Sequence, residues 1–172
     1  HDSGALYSIG DLAGKCQDAS ISKQLESGAR FLDMRLSLKD DGSFKVIHGI
    51  VDERLSFNEV LKDVKSFLTN HPSETVVMSV KREDDKNKDL FAEKFEALVA
   101  EDTDLWYTAN LVPTVSLARG KIVLVSRYND NTKGIDLAHD WQDSATFNIT
   151  NLPYIYHIQD NYCLQDNEIG RA

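Results

Sequence analysis

Apolar and polar positions along the chain fall into two helical and several strand patterns. Val60, Leu61, Val64, Phe67 and Leu68 recur at helical spacing with charged residues between them, which predicts an amphipathic helix ending near Thr69. Ser56 and Glu59 form a capping box at its start, Leu55 is placed to staple onto Val60, and Asn70 with Pro72 supplies the stop. A second apolar stripe of Leu90, Phe91, Phe95, Leu98 and Val99 predicts another helix within 86–100.

Around the second helix lie TVVMSVK at 75–81 and KIVLVSR at 121–127, nearly continuous apolar runs too short for helices and rich in β-branched residues. Both read as strands buried on two faces. Strand, helix, strand is the parallel crossover unit, so the class is α/β. RFLDMRL at 30–36 and YIYHIQD at 154–160 complete four expected strands, FKVIH at 44–48 follows the turn signal KDDGS, and NDNTKG at 129–134 reads as a polar loop.

With 172 residues, 41% hydrophobic and 27% charged, the chain has the make-up of one globular domain. Its net charge of -9 argues against nucleic acid as a partner, because phosphate backbones call for clustered Lys and Arg. No apolar run approaches the length that spans a bilayer. Cys16 and Cys163 could be bridged or free. Asn148-Ile149-Thr150 fits the glycosylation acceptor pattern, a weak pointer to secretion.

Charge changes the picture at the strand ends. Arg35, Lys81, Arg127 and Asp160 each stand at or near the C-terminal end of an expected strand. Charged side chains are uncommon in buried strands, and in a parallel barrel the C-terminal ends converge on the face that carries active sites. Three cations there, in an acidic chain, predict an anion-binding mouth. Phe31, Asp33 and Arg35 share one side of their strand. Asp33 could fix the Arg35 fork for phosphate recognition, or the two could form a structural ion pair. His48, before Gly49, and His1, in the opening HDSG, offer one base and one acid, with Asp2 and Asp33 available to orient them.

HDSG, ARFLDMRL, IHG, NHPSETVVMSVKRE, RGKIVLVSRY and IQDNY resemble, in order and spacing, the X domain of bacterial phosphatidylinositol-specific phospholipase C. The resemblance implies a distorted TIM-type (β/α) barrel. It casts His1 as the general base on the inositol 2-hydroxyl, His48 as the general acid on the diacylglycerol oxygen, and Asp2 as the residue that orients His48. Arg35, held by Asp33, would face the phosphoryl oxygens; Lys81, Arg127 and Asp160 would bind inositol hydroxyls, Tyr162 would stack on the ring, and Glu83 would support this shell.

The implied reaction yields diacylglycerol and inositol 1,2-cyclic phosphate, since a neighbouring hydroxyl attacks before water does. No cofactor is expected. Eukaryotic relatives place a calcium-binding carboxylate where Arg35 stands, and a fixed guanidinium there implies metal-independent catalysis. A strand ahead of HDSG and strands after IQDNY are absent, so residues 1–172 are expected to cover roughly the first half of the barrel, a fragment without the carboxylate partner of His1.

Two other readings share these features. One is a glycerophosphodiester phosphodiesterase-like enzyme, against which Arg35 speaks because such enzymes hold a divalent metal with carboxylates. The other is a non-catalytic module that binds inositol phosphate or lipid headgroups. Contact with a membrane surface would be transient and local in so acidic a chain, with Ile50 and Val51 as rim residues or ordinary loop packing and with Trp106 and Tyr107 in the core.

Overall fold

The computed structural model describes residues 3–4, 19–49 and 51–160. The first element, helix α1 (Ile21–Glu26), is capped by the Ser20 side chain and buries Ile21 and Leu25. Strands β1 (Phe31–Leu38), β2 (Phe44–His48) and β3 (Val51–Ser56) follow as an antiparallel run. FKVIH therefore pairs back onto β1 as its apolar alternation predicts.

Helix α2 (Phe57–Asn70) begins where the capping box lies: Ser56 accepts from the Glu59 N–H while the Glu59 carboxylate accepts from the Ser56 N–H. Strand β4 (Val76–Arg82), helix α3 (Lys88–Ala100), the short strand β5 (Trp106–Tyr107), helix α4 (Val115–Ala118) and strand β6 (Ile122–Arg127) come next. Strand β7 (Ile135–Asp136) and the pair β8 (Thr146–Asn151) and β9 (Tyr154–Gln159) complete the described chain.

Seven strands form one sheet in the order β3-β2-β1-β4-β6-β5, with β7 also on β6, and β1, β4, β6, β5 and β7 run parallel. Side chains alternate across it. Leu32, Met34, Leu36, Val76, Met78, Val80, Ile122 and Leu124 face the helices and form the main core with Phe44, Phe57, Phe91 and Phe95. Phe44 meets Phe91 edge-on at 5.2 Å, and Phe95 meets Tyr128 at 5.4 Å, an arrangement aromatic quadrupoles favour. Trp106 belongs to this core, as its setting in the sequence suggests.

The opposite face is the one that carries Asp33, Arg35, Lys81 and Arg127. Its apolar part, including Val123 and Val125, packs against Ile135, Leu137, Phe147 and Ile149. Beside it runs an apolar groove of about 400 Å³ lined by Phe31, Val77, Val125 and Trp141 among others. Among the described residues the sheet stays open rather than closing into a barrel.

One strand differs from expectation in its partner. YIYHIQD does form β9, but it pairs antiparallel with β8, Thr146 opposite Gln159, in a separate two-stranded sheet. It is not a further parallel strand. The reason lies in TFNITN, where exposed Thr146, Asn148 and Thr150 alternate with buried Phe147 and Ile149: a period of two with only two apolar residues, which supplies a hairpin partner.

Candidate active site

Register places the cations. Across the parallel ladders Arg35 is opposite Lys81, and Lys81 is opposite Arg127. Residues in register on neighbouring strands point to the same side, and those strands lie about 4.8 Å apart. Three positive side chains thus stand in one row on one face of the sheet, level with the C-terminal ends of β4 and β6, while β1 runs three residues past Arg35.

Such a row holds together only with interposed negative charge. Asp33 supplies part of it: Oδ2 lies 3.4 Å from Arg35 Nε and Oδ1 lies 3.2 Å from Arg127 Nη1. Glu83 supplies the rest, with Oε1 3.3 Å from Arg35 Nη1 and Oε2 2.8 Å from Lys81 Nζ. Glu83 stands two residues past Lys81 and so follows it on the same side. Burial alone would raise the Glu83 pKa. The hydrogen bond and charge of Lys81, the charge of Arg35 and the Gly49 N–H together outweigh burial and hold the carboxyl below its ordinary range.

Glu83 also reaches the turn that follows the histidine. His48 is the last residue of β2, and the next N–H, that of Gly49, donates to Glu83 Oε1 at 3.2 Å. Gly49 has φ +58, a left-handed conformation that glycine adopts without penalty. One carboxylate therefore ties the turn carrying His48 to both Arg35 and Lys81.

Asp33 is fixed from the other side by Ser3 of HDSG. The Ser3 N–H donates to the Asp33 carbonyl at 2.9 Å, and the Asp33 N–H donates to Ser3 Oγ at 3.0 Å. Gln24 on α1 donates to the Ser3 carbonyl at 3.0 Å. These bonds dock the third residue of HDSG against β1 beside the Asp33–Arg35 pair. His1, Asp2, Tyr162, Cys16, Cys163 and Ile50 lie outside the described residues.

Asp160 reaches the same cavity by a different route from the other three strand ends. Its N–H donates to the Ala145 carbonyl at 2.9 Å, continuing the β8–β9 pairing one residue beyond Thr146 and Gln159, and its Oδ2 accepts from Trp141 Nε1 at 2.8 Å. Trp141 in turn lies under the Arg127 guanidinium, whose central carbon is 3.4 Å from the ring centroid. Burial lowers the Arg127 pKa, and the carboxylates of Asp33 and Asp160 offset part of that shift.

Arg35, Lys81, Glu83, Arg127, Ala138, Trp141, Asp143 and Asp160 line one cavity of about 520 Å³. All four charged strand ends singled out in the sequence meet there. Sequence reasoning gave Glu83 only a supporting place and passed over Ser3, Trp141 and Asp143. A large aromatic within the polar run His139-Asp140-Trp141-Gln142-Asp143 was the available signal. The cavity offers cations for a phosphate and acidic groups for hydroxyls, in a size that suits one sugar-like ring.

A family model described as the X domain of phosphatidylinositol-specific phospholipase C matches residues 1–128. The chain belongs to this family. It is 33% identical over 183 aligned residues to a 1-phosphatidylinositol phosphodiesterase of Staphylococcus aureus, covering 94% of this chain and 57% of that protein. A 1-phosphatidylinositol phosphodiesterase of Listeria monocytogenes is 34% identical over 116 residues, 64% of this chain and 35% of that protein.

Solved structures agree. A crystal structure of Staphylococcus aureus phosphatidylinositol-specific phospholipase C aligns with a TM-score of 0.85 at 30% identity, over 98% of this chain and 61% of its own. Another structure of that enzyme, concerned with its membrane binding, aligns with a TM-score of 0.81 at 31% identity, over 98% and 61% of the two chains. The chain thus spans about three fifths of the length of the Staphylococcus aureus relatives, and the open, mainly parallel sheet described here is part of a TIM-barrel fold.

Proposed function

We propose that the protein cleaves the phosphodiester of phosphatidylinositol-type lipids, releasing diacylglycerol and inositol 1,2-cyclic phosphate. The observation that carries this reading is the registered row of Arg35, Lys81 and Arg127, interleaved with Asp33 and Glu83 and closed by Asp160. The phosphate sits against Arg35, whose guanidinium is braced by both Asp33 and Glu83. The inositol ring lies toward Lys81, Arg127 and Asp160, with Tyr162 against its face.

In the reaction His1 takes the proton of the 2-hydroxyl, and O2 attacks phosphorus. The bond from phosphorus to the glycerol oxygen breaks as His48 donates a proton to that oxygen, with Asp2 orienting His48. Charge developing on the phosphoryl oxygens meets Arg35, already oriented before the substrate arrives, which is where electrostatic catalysis gains most. Attack within one molecule needs no second reactant. The same fixed guanidinium stands where a divalent cation would be repelled, so the chemistry is metal-independent.

The substrate is presented at a lipid surface outside the cell, with which the protein makes transient contact. The natural full-length protein, with phosphatidylinositol vesicles in excess chelator, tests the reading. Wild type releases diacylglycerol, and His48→Ala does not while still binding myo-inositol. Turnover unchanged by His48→Ala, or abolished by chelator and restored by calcium, overturns it.

A further inference from the structure

We propose that Gln24 is a positioning residue of the reaction: by donating from one side-chain amide to the Ser3 and Ala19 carbonyls, it mounts the HDSG block on helix α1 and so sets where His1 stands relative to Arg35. The inference rests on the function proposed above, in which His1 takes the proton of the 2-hydroxyl.

Ser3 is the fixed point of that block. It is 4% exposed, and each of its polar atoms is engaged. Its N–H and Oγ bond to the main-chain carbonyl and N–H of Asp33, and its carbonyl accepts from Gln24 Nε2 at 3.0 Å. A residue two positions ahead lies within about 7 Å of it, backbone to backbone. Asp33, on the other side of the exchange, braces both Arg35 and Arg127. Ser3 therefore ties the chain that carries the base to the carboxylate that orients the phosphate-binding cation.

The exchange with Asp33 alone is not a full constraint. Both of its bonds go to one residue of one strand, so they define an axis about which the block can swing. The bond from Gln24 comes from a different element and stops that motion.

Glutamine suits the task. Both of its partners are carbonyl oxygens, at 3.0 and 2.8 Å, so the side chain must offer two donors. A primary amide carries two on one nitrogen without a charge, whereas an ionised carboxylate of the same shape carries none. The bond to Ala19 alone would be a local tie at the start of α1. The bond to Ser3 spans 21 positions of chain and has no part in forming the helix.

The helix is itself held. Ile21 and Leu25 are buried. The Leu25 and Ala29 carbonyls accept from Arg30 Nη1 at 2.7 and 2.8 Å, and Arg30 Nε donates to Glu74 Oε2 at 2.8 Å. Arg30 directly precedes β1. Helix α1 is thus pinned to the strand whose Asp33 holds the other side of Ser3, and the two anchors form one frame.

Two variants of the full-length protein test the mount. Gln24→Met keeps the length and loses the donors; Gln24→Glu keeps the shape and presents oxygens where donors are needed. On phosphatidylinositol, Gln24→Met should lower kcat about a hundredfold, the loss that follows misplacement of a reacting group by about 1 Å. KM and the affinity for myo-inositol should stay as in wild type, since Lys81, Arg127 and Asp160 are untouched. Gln24→Glu should lose at least as much at neutral pH, where its carboxylate would face two carbonyl oxygens.

A second substrate separates the base from the acid. The nitrophenyl ester of myo-inositol 1-phosphate expels a phenolate that needs no proton, so His48→Ala should lose far less on it than on the lipid. The loss in Gln24→Met should be the same on both, because the 2-hydroxyl must still give up its proton. Unchanged kcat in Gln24→Met, a loss that shrinks on the nitrophenyl ester as that of His48→Ala does, or myo-inositol affinity falling in step with kcat would overturn the mount while wild-type turnover leaves the proposed reaction standing. Wild type without turnover on either substrate overturns both.

Discussion

Arg127 Nη1 lies 3.2 Å from Asp33 Oδ1, and both side chains are only 7% exposed. The other oxygen of the same carboxylate faces Arg35 at 3.4 Å, so a single buried anion serves two guanidinium groups on strands that are not neighbours. Removing one partner from a buried set leaves uncompensated charge, at a cost of about 3–5 kcal/mol. Asp33→Asn keeps the shape and removes the charge. It should destabilise the protein by roughly 3 kcal/mol, read as a shift of the denaturant midpoint, and should reduce activity along with stability.

Arg35 is the test of geometry apart from charge. Arg35→Lys retains a cation but cannot bridge Asp33 and Glu83 as the planar fork does. Loss of about a hundredfold in kcat/KM, with the unfolding midpoint nearly unchanged, is the expected result of steady-state assays on phosphatidylinositol.

Glu83 links the site to acid stability. Its folded pKa lies below the ordinary value of 4.5. An unfolded chain then binds more protons than the folded one in the window between the two values, so stability rises with pH there. The contribution is fully present above about 4.5 and is lost as pH falls through the lower folded value. Denaturant titrations at a series of acidic pH values should show this limb in wild type, and a shallower one in Glu83→Gln.

Gly134 is a position where no side chain fits. It has φ +85, and an added Cβ would lie 2.7 Å from Leu124 Cγ, 2.8 Å from Ser126 Oγ and 2.9 Å from the Leu124 carbonyl oxygen. Gly134→Ala should cost about 2–4 kcal/mol through overpacking and a disfavoured φ. Because β7 starts at the next residue and leads into the Trp141 loop, the variant should also weaken myo-inositol binding.

Much of the scaffold was legible because its signals are local. The capping box at Ser56 and Glu59 located α2 within a residue, and the apolar runs at 75–81 and 121–127 became β4 and β6. Strands with fewer apolar residues were not: β3 carries Asp52, Glu53 and Arg54, the last at φ +52, and β8 has only two buried side chains. YIYHIQD was recognisable as a strand, yet its partner depended on the overlooked TFNITN.

The site divides in the same way. Lys81, Arg127 and Asp160 were readable as charges at strand ends, and Arg35 as a charge late in its strand, although β1 runs on to Leu38. Their neutralisation was not, since the Arg127–Asp33 contact joins residues 94 positions apart and the Ser3–Asp33 exchange joins residues 30 apart. Trp141 makes its contacts from an irregular segment, where no periodicity announces which way a side chain faces.

The first product is the most direct test of the central claim. Phosphorus NMR of phosphatidylinositol cleaved by the natural full-length protein in excess chelator should show inositol 1,2-cyclic phosphate appearing before any inositol 1-phosphate. Inositol 1-phosphate formed from the outset with no cyclic precursor would mean that water, rather than the neighbouring hydroxyl, attacks phosphorus, and would contradict the account.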